Sequence, residues 1–120
     1  MRQRAVLIRD NDYIRDLLID FERSEEWFMV VALLVDATAE EEKKFAYCEL
    51  LVEAGYLKCY ENHAYRMTSK GHDFVQAIRE DEDWIKIKAL SASIGGATLD
   101  ILNDIAIGLL KQKIPETIAI

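Results

Sequence analysis

The chain has 120 residues, of which 51% are hydrophobic and 31% charged, a composition typical of one soluble domain built around a single core. Its formal net charge of −7 argues against a protein that binds nucleic acid through bulk positive charge, although a local basic patch stays compatible with it. The N-terminal apolar run, Ala5 to Ile8, is shorter than a signal-peptide core of about 7 to 15 residues, and no run approaches the roughly 18 apolar residues of a membrane span. We therefore expect a cytoplasmic protein without membrane contact, in which Cys48 and Cys59 are reduced thiols.

The first predicted element is an amphipathic helix. Apolar residues recur at helical spacing from Tyr13 to Phe21, and charged residues occupy the opposite side, with Asp10 or Asn11 as the expected N-cap. The run from Trp27 to Val35 follows, and it is continuously apolar and rich in valine and aromatic residues. Because periodicity does not separate a buried strand from a buried helix here, we use the short length of the run and predict a strand.

The segment Ala39–Ala54 carries the clearest helix signals. Thr38 and Glu41 have the spacing of a capping box, and Gly55 stands where a left-handed C-terminal cap would end the helix. Its predicted inward-facing stripe consists of Phe45, Cys48, Leu51 and Val52. We therefore predict an amphipathic helix with one buried face.

A hairpin and three further helices are predicted after this segment. Leu57–Met67 alternates as two short strands around a turn in which Asn62 is suited to a positive φ angle. Thr68 is the expected cap of the next helix, another helix begins near Trp84, and a final amphipathic helix runs from about Thr98 to Lys111. No repeat or linker interrupts this order.

The order helix, strand, helix, two-stranded hairpin, helix is that of a winged helix. Residues 39–54 take the position of the recognition helix and residues 57–67 that of the wing, while the second helix of the usual motif is missing or reduced to a turn around residues 35–37. We predict an α+β fold, a single winged-helix-like domain over residues 1–120, in which residues 82–120 form a C-terminal helical extension that packs on the rest.

Four blocks of the sequence carry a resemblance to a known family. They are RDNDYIRDLLIDFE (Arg9 to Glu22), FAYCELLVEAGYL (Phe45 to Leu57), MTSKGHDFVQAIREDEDWIKIK (Met67 to Lys88) and GGATLDILNDIAIGLL (Gly95 to Leu110). They resemble successive blocks of a bacterial and prophage family known as domain of unknown function 2513, and MTSKGHDF, with Arg79 and Trp84 following, is the most specific stretch. The resemblance supports the predicted fold and implies an association with mobile elements and regulation.

The pair His72 and Asp73, followed by the acidic run Glu80–Asp83, is the first candidate for catalysis. A general base needs an orienting partner within hydrogen-bond reach, and the sequence offers no nucleophile or second carboxylate in a matching pattern. A structural interpretation is stronger, because Asp73 falls near the positive end of a predicted helix. The acidic run then separates two helices, with Asp81 or Asp83 as the cap of the second, and the role of His72 stays open.

Metal binding and nucleophilic catalysis have equally weak signals. Cys48, Cys59, His63 and His72 are the candidate ligands, but their spacing includes no Cys-x-x-Cys pair. The serines before Gly95 lack the Gly-x-Ser-x-Gly turn of a hydrolase nucleophile, and no phosphate-binding glycine loop is present. We therefore predict a protein that is not an enzyme and has no catalytic residue, metal, cofactor or small-molecule substrate.

DNA binding is one of two hypotheses for the function, because winged helices commonly read the major groove with the recognition helix. Residues 36–53, however, carry six acidic residues and two lysines, and their net charge of −4 opposes contacts to phosphate. The candidates for nucleic-acid contact are an N-terminal arm, the two helix lysines and the wing: Arg2, Arg4, Arg9, Lys43, Lys44, Lys58 and Arg66.

The second hypothesis is a protein-interaction module that forms a homodimer. The last predicted helix carries an apolar face wider than one core contact needs. The predicted dimer interface consists of Leu99, Leu102, Ile105, Ala106, Leu109 and Leu110. The alternative is that this helix is simply buried against the rest of the domain. Because residues 36–53 are acidic, we place a protein partner ahead of DNA and predict a non-catalytic module that acts in a regulatory or mobile-element context.

Overall fold

Five α-helices and three short strands follow one another in residues 9–31 and 34–114, the part of the chain that the structure, a computed structural model, describes. The elements are α1 (Asn11–Arg23), β1 (Met29–Val30), α2 (Ala39–Glu53), β2 (Leu57–Tyr60), β3 (Ala64–Met67), α3 (Ser69–Ile78), α4 (Asp81–Ser93) and α5 (Leu99–Gln112). The predicted α+β class is confirmed. Arg2 and Arg4, two of the predicted nucleic-acid contacts, lie outside the described residues.

The three strands form one antiparallel sheet in the order β1-β3-β2. Leu57 faces Met67 across β2 and β3, and Met29 faces Tyr65 across β1 and β3. A short 3-10 turn joins β2 to β3 and holds Asn62 at a φ of 64°, the left-handed conformation predicted for it. The predicted hairpin is therefore confirmed.

The strand predicted over residues 27–35 is shorter than expected. Within the described residues only Met29 and Val30 pair with β3, while Trp27 and Phe28 lie in bends and are exposed. A continuous apolar run is typical of a strand that is buried on both faces. Only one face of this small sheet meets the core, however, and Val30 on the other face is 60% exposed.

One core is formed by the inner face of the sheet together with residues from all five helices. Its residues from α1 are those that the helical spacing predicts: Ile14, Leu17, Leu18 and Phe21. In α2, Cys48 and Leu51 are buried as predicted, whereas Phe45 and Val52 are half-buried. Tyr47, which is absent from the predicted stripe, is fully buried beside them.

Thr68 links the end of α2 to the start of α3 across the base of the hairpin. Its hydroxyl accepts a hydrogen bond from the N–H of Gly71 (3.1 Å) and donates one to the carbonyl oxygen of Gly55 (2.6 Å). Its own N–H donates to the carbonyl oxygen of Tyr56 (3.0 Å). Thr68 is thus the predicted cap of α3, just as Thr38 heads the predicted capping box of α2.

The start of α4 differs from the prediction. The helix begins at Asp81, Glu80 occupies the cap position, and no side chain caps the first amide groups by a hydrogen bond. The Asp81 carboxylate instead pairs with Arg15 (2.7 Å), and the Asp83 carboxylate pairs with Lys113. Both carboxylates lie in the first turn, near the positive end of the helix dipole, so the acidic run stabilises the helix start without capping it.

Helices α4 and α5 pack against α3 and against each other. This packing buries Trp84 and Ile87 of α4, and Leu102 and Ala106 of α5. Among the described helices, none has both the length and the apolar composition that a bilayer crossing requires.

Candidate functional site

The predicted nucleic-acid contacts before α1 and on α2 each have different surroundings. Arg9 precedes α1 and donates a hydrogen bond to the carbonyl oxygen of Ala97 (3.3 Å). Lys43 lies over the ring of Tyr13, with its Nζ 4.3 Å from the ring centre, and Lys44 lines a small hollow beside β1. In the part of the chain that the structure describes, these three cations do not form one basic patch.

Lys58 and Arg66 are brought together by the hairpin, where they face each other across β2 and β3. Both lie on the side of the sheet that faces away from the core. Arg66 Nε donates a hydrogen bond to the hydroxyl oxygen of Tyr60 (2.6 Å). Its guanidinium carbon lies 5.5 Å from the centre of the Trp27 ring and 5.7 Å from that of the Tyr60 ring. A fixed guanidinium group therefore lies against two aromatic rings.

Trp27, Phe28, Tyr60 and Arg66 form a continuous surface, which we call the aromatic face. The Trp27 and Phe28 rings meet edge to face with centres 6.2 Å apart, and the Trp27 and Tyr60 rings also have centres 6.2 Å apart. The exposed fractions are 72% for Trp27, 41% for Phe28 and 38% for Tyr60. Aromatic side chains of this size are normally withdrawn from water, so a cluster of three exposed rings marks an interaction surface.

A groove of about 630 Å³ opens beside the aromatic face. The end of α1 and residues 24–28 line one side of it, and the hairpin and the first turns of α3 line the other. The buried side chains of Phe21 and Met67 contribute its apolar base. His72, whose role the sequence leaves open, is exposed at this groove.

Carboxylates are the main charged groups of the groove, to which Glu22, Glu25 and Glu26 all contribute. Glu22 is held by Arg79, which donates hydrogen bonds to both carboxylate oxygens (3.0 and 2.5 Å). Glu25 and Glu26 are exposed, and within the described residues their carboxylates have no hydrogen bond or ion pair. The groove thus combines apolar surface with two carboxylates that are available to a ligand.

The buried titratable side chains are poorly suited to nucleophilic chemistry. Burial raises the pKa of the Cys48 thiol to about 12, so this group stays protonated near neutral pH. Burial, together with a short hydrogen bond to Glu49, also raises the pKa of Tyr65 above its ordinary value. Among the described residues, no group of three or more His, Cys, Asp or Glu side chains has the placement of a metal site.

The residues predicted for a dimer interface do not share one exposed face. Leu99, Leu102 and Ala106 are buried in the core of the chain itself, so they are not accessible to a second copy of the folded domain. The other three are half-buried against the same core: Ile105, Leu109 and Leu110. The exposed apolar residues of these two helices and their ends include Ile94 at the end of α4 and Ile101 on α5. The homodimer stays a prediction.

The aromatic residues of the site are not predicted from the sequence pattern, because a continuous apolar run indicates a core strand when no polar residue marks its outer face. A compositional signal was available, however. Glu25 and Glu26 directly precede Trp27, which indicates a solvent-exposed segment. Trp, Tyr and Arg are also the residue types most enriched among the strongest contributors to protein interfaces.

A protein-family model described as Hypothetical protein (DUF2513) matches residues 8–97. The matched segment contains α1 to α4, the sheet, the aromatic face and the groove, and it ends just before α5. Comparisons with curated proteins and with solved structures give no match.

Proposed function

The chain belongs to the family described as Hypothetical protein (DUF2513), and we propose that this member is a non-catalytic module that binds another protein through its aromatic face. Because the family description assigns no activity, the proposal rests on the surface of the molecule. The setting that we propose is the cytoplasm, and the resemblance of the sequence blocks to a bacterial and prophage family favours a role in regulation or in a mobile element.

The exposure of Trp27 is the observation that carries the proposal. Trp27 has 72% of its surface in water. A partner that covers this side chain lowers the free energy of the complex in proportion to the apolar area that leaves water. Phe28, Tyr60 and Arg66 adjoin it, and Trp, Tyr and Arg are the residues that most often dominate binding energy at protein interfaces. The hydrogen bond from Arg66 to Tyr60 fixes both side chains beforehand, so that less conformational entropy is lost on binding.

We propose a winged-helix fold, with the second helix of the usual motif reduced to a turn. The order of the elements and the strand order β1-β3-β2, with β3 in the centre, support this fold. A turn at residues 35 and 36, directly before α2, occupies the place of the second helix. Since winged helices commonly bind DNA, the fold also raises a second candidate function.

The paired cations Lys58 and Arg66 on the hairpin are the observation that favours DNA. The start of α2 opposes it, because Glu40–Glu42 are exposed there, whereas Lys43 and Lys44 are half-buried. Three carboxylates outweigh the roughly half positive charge of a helix N-terminus, which would otherwise attract phosphate. We therefore place protein binding ahead of DNA binding.

Protein binding is tested by selecting ligands for the immobilised protein from a phage-displayed library of random peptides. Fluorescein-labelled synthetic copies of the enriched peptides are then titrated with the wild type, with Trp27→Ala and with the control Ile85→Ala. Ile85 is an apolar residue of α4, 63% exposed, that lies off the aromatic face. We expect Trp27→Ala to weaken binding at least about tenfold, as the loss of an interface hot spot does, and Ile85→Ala to leave it unchanged.

Two results would contradict protein binding at the aromatic face. One is a selection that enriches no peptide, and the other is an equal affinity of the enriched peptides for Trp27→Ala and the wild type. Circular dichroism spectra of both variants establish that the substitutions leave the fold intact.

DNA binding is tested by titrating salt into mixtures of the protein and a labelled duplex of mixed sequence. We expect no association at low ionic strength, because the carboxylates of α2 repel phosphate. A wild-type complex that weakens with salt, and that loses affinity and salt dependence in the Lys58→Ala/Arg66→Ala variant, would establish the second candidate instead.

A further inference from the structure

We infer that the groove beside the aromatic face binds a positively charged and partly apolar segment of the partner protein. The inference rests on the proposed function and specifies the chemistry of the partner, which presents Lys or Arg side chains next to an apolar side chain. The argument for this occupant comes from the shape of the groove, from its charge and from the bonds that Arg66 already makes.

The groove has room for side chains from another chain. Its volume of about 630 Å³ lies within the range of roughly 300–1,000 Å³ that is typical of ligand-binding sites. Phe21 and Met67 at the base are buried, while Trp27 and Phe28 at the rim are exposed. An apolar side chain of the partner that enters the groove would leave water and contact these residues.

The charge of the groove selects for cations. Glu22, Glu25 and Glu26 line it together with one cation, Arg66, which gives the lining residues a net charge of −2 with histidine neutral. Since Glu22 is already bound to Arg79, the two carboxylates available to a ligand are those of Glu25 and Glu26. The net charge of −7 of the whole chain also attracts a cationic partner and increases its rate of association.

Arg66 does not turn the groove into a site for anions. Its Nε donates to Tyr60, and its Nη1 donates to the carbonyl oxygen of Met67 (3.4 Å). These two bonds leave three of the five guanidinium N–H donors free, but an anionic partner that reached them would also face the carboxylates of the groove. The exposed ring surface of Trp27, in contrast, is suited to a stacked Lys or Arg of the partner, because tryptophan gives the strongest cation–π contacts.

The same arrangement disfavours the other macromolecules that bind exposed aromatic surfaces. Single-stranded nucleic acid stacks on such rings but brings phosphates, which Glu25 and Glu26 would repel. An anionic membrane surface meets the same repulsion. A cationic protein segment is the occupant that fits both the apolar and the charged parts of the groove.

The experiment uses the peptides enriched from the random library and a matched pair of double variants. Glu25→Gln/Glu26→Gln removes the two available carboxylates, and Glu40→Gln/Glu82→Gln removes the same charge from exposed positions of α2 and α4, outside the groove. We expect the enriched peptides to be cationic and to contain apolar residues. We expect the groove variant to weaken their binding about tenfold at low salt, and the control variant to change it little, because groups far from the ligand are screened.

The results separate this inference from the proposed function. Enriched peptides that lose affinity for Trp27→Ala but are acidic or uncharged would overturn the cationic occupant and leave binding at the aromatic face in place. An equal effect of the two double variants would also overturn it, because bulk charge would then explain the affinity. A library that yields no ligand overturns both proposals.

Discussion

Arg66 Nε donates a 2.6 Å hydrogen bond to the hydroxyl oxygen of Tyr60, and this bond holds the pKa of Tyr60 below its ordinary value because it stabilises the phenolate. We expect an ultraviolet absorbance titration at alkaline pH to show a tyrosine ionisation that disappears in Tyr60→Phe. The same ionisation should move to higher pH in Arg66→Met. The ionisation of Tyr56 occurs at higher pH than that of Tyr60, because burial raises the pKa of the Tyr56 phenol to about 12. A titration that Arg66→Met leaves unchanged would mean that the bond is absent in solution.

Gly71 lies against the backbone of Tyr56, where a Cβ atom would come within 2.3 Å of the carbonyl oxygen and 2.5 Å of Met67 Cγ. We expect Gly71→Ala to lower the free energy of unfolding by about 1–3 kcal/mol, because backbone and core must shift to admit a methyl group. The matched control is Gly108→Ala in α5, where an added Cβ meets no atom within 4 Å.

The free energy of unfolding of the control Gly108→Ala should instead rise by about 0.5–1 kcal/mol, which is the difference in stability between Gly and Ala inside a helix. Urea unfolding followed by circular dichroism measures both variants. If Gly71→Ala were as stable as the wild type, the close approach of α3 to Tyr56 would have to be wrong.

Asp12 accepts hydrogen bonds from Trp84 Nε1 (2.7 Å) and from Lys88 Nζ (3.0 Å), and it thereby ties α1 to α4. These bonds, that of Trp84 first, lower the pKa of Asp12 below 3.8. A carboxyl group whose pKa is lower in the folded state stabilises the fold above its unfolded pKa, and this contribution is lost as the pH falls through the folded pKa. We therefore expect Asp12→Asn to reduce the free energy of unfolding at neutral pH.

The difference between Asp12→Asn and the wild type should shrink as the pH falls below the ordinary value of 3.8 towards the lowered pKa of the folded state, because the unfolded chain binds a proton at Asp12 before the folded chain does. Urea unfolding over a series of pH values measures it. Asp16→Asn, at an exposed position of the same helix, is the control. If the difference in free energy of unfolding stayed constant down to acid pH, the hydrogen bonds from Trp84 and Lys88 would not depend on an ionised Asp12.

Ile101 of α5 is 42% exposed and directly precedes Leu102, a residue of the predicted dimer interface. We expect the wild type to sediment as a dimer of the 13.8 kDa chain and Ile101→Asp to sediment as a single chain, because a buried carboxylate at an interface is costly. Leu102→Asp should unfold the chain, since Leu102 is buried in its core. A wild type that sediments as a single chain would refute the dimer.

Local backbone requirements made the ends of the elements predictable from the sequence. Thr38 and Thr68 cap helices through hydrogen bonds that span three residues, so the sequence neighbours alone indicate them. Gly55, with a φ of 88°, and Asn62, with a φ of 64°, hold conformations that few other residue types adopt. The sequence therefore predicts the boundaries of α2 and of the hairpin, and the start of α3.

Relationships between distant segments were not predictable in the same way. Tyr47 is fully buried, and its hydroxyl oxygen accepts a hydrogen bond from the N–H of Asp10 (2.7 Å), a contact that exists only once the start of α1 meets α2. The exposure of Trp27 likewise depends on which face of the sheet the helices cover. The pairing of Lys58 with Arg66 follows from the predicted hairpin, whereas the groove requires α1, the hairpin and α3 to be placed together.

The hydrogen bonds of Thr68 to Gly55 and Tyr56 close the hairpin at its base, so that residues 57–67 begin and end at one point of the domain. Lengthening a loop whose ends are already held together costs only the slowly rising entropy of the added residues. The turn at Asn62 is therefore a tolerant insertion point for a reporter or an affinity tag, because extra residues there leave the junction of α2 and α3 intact.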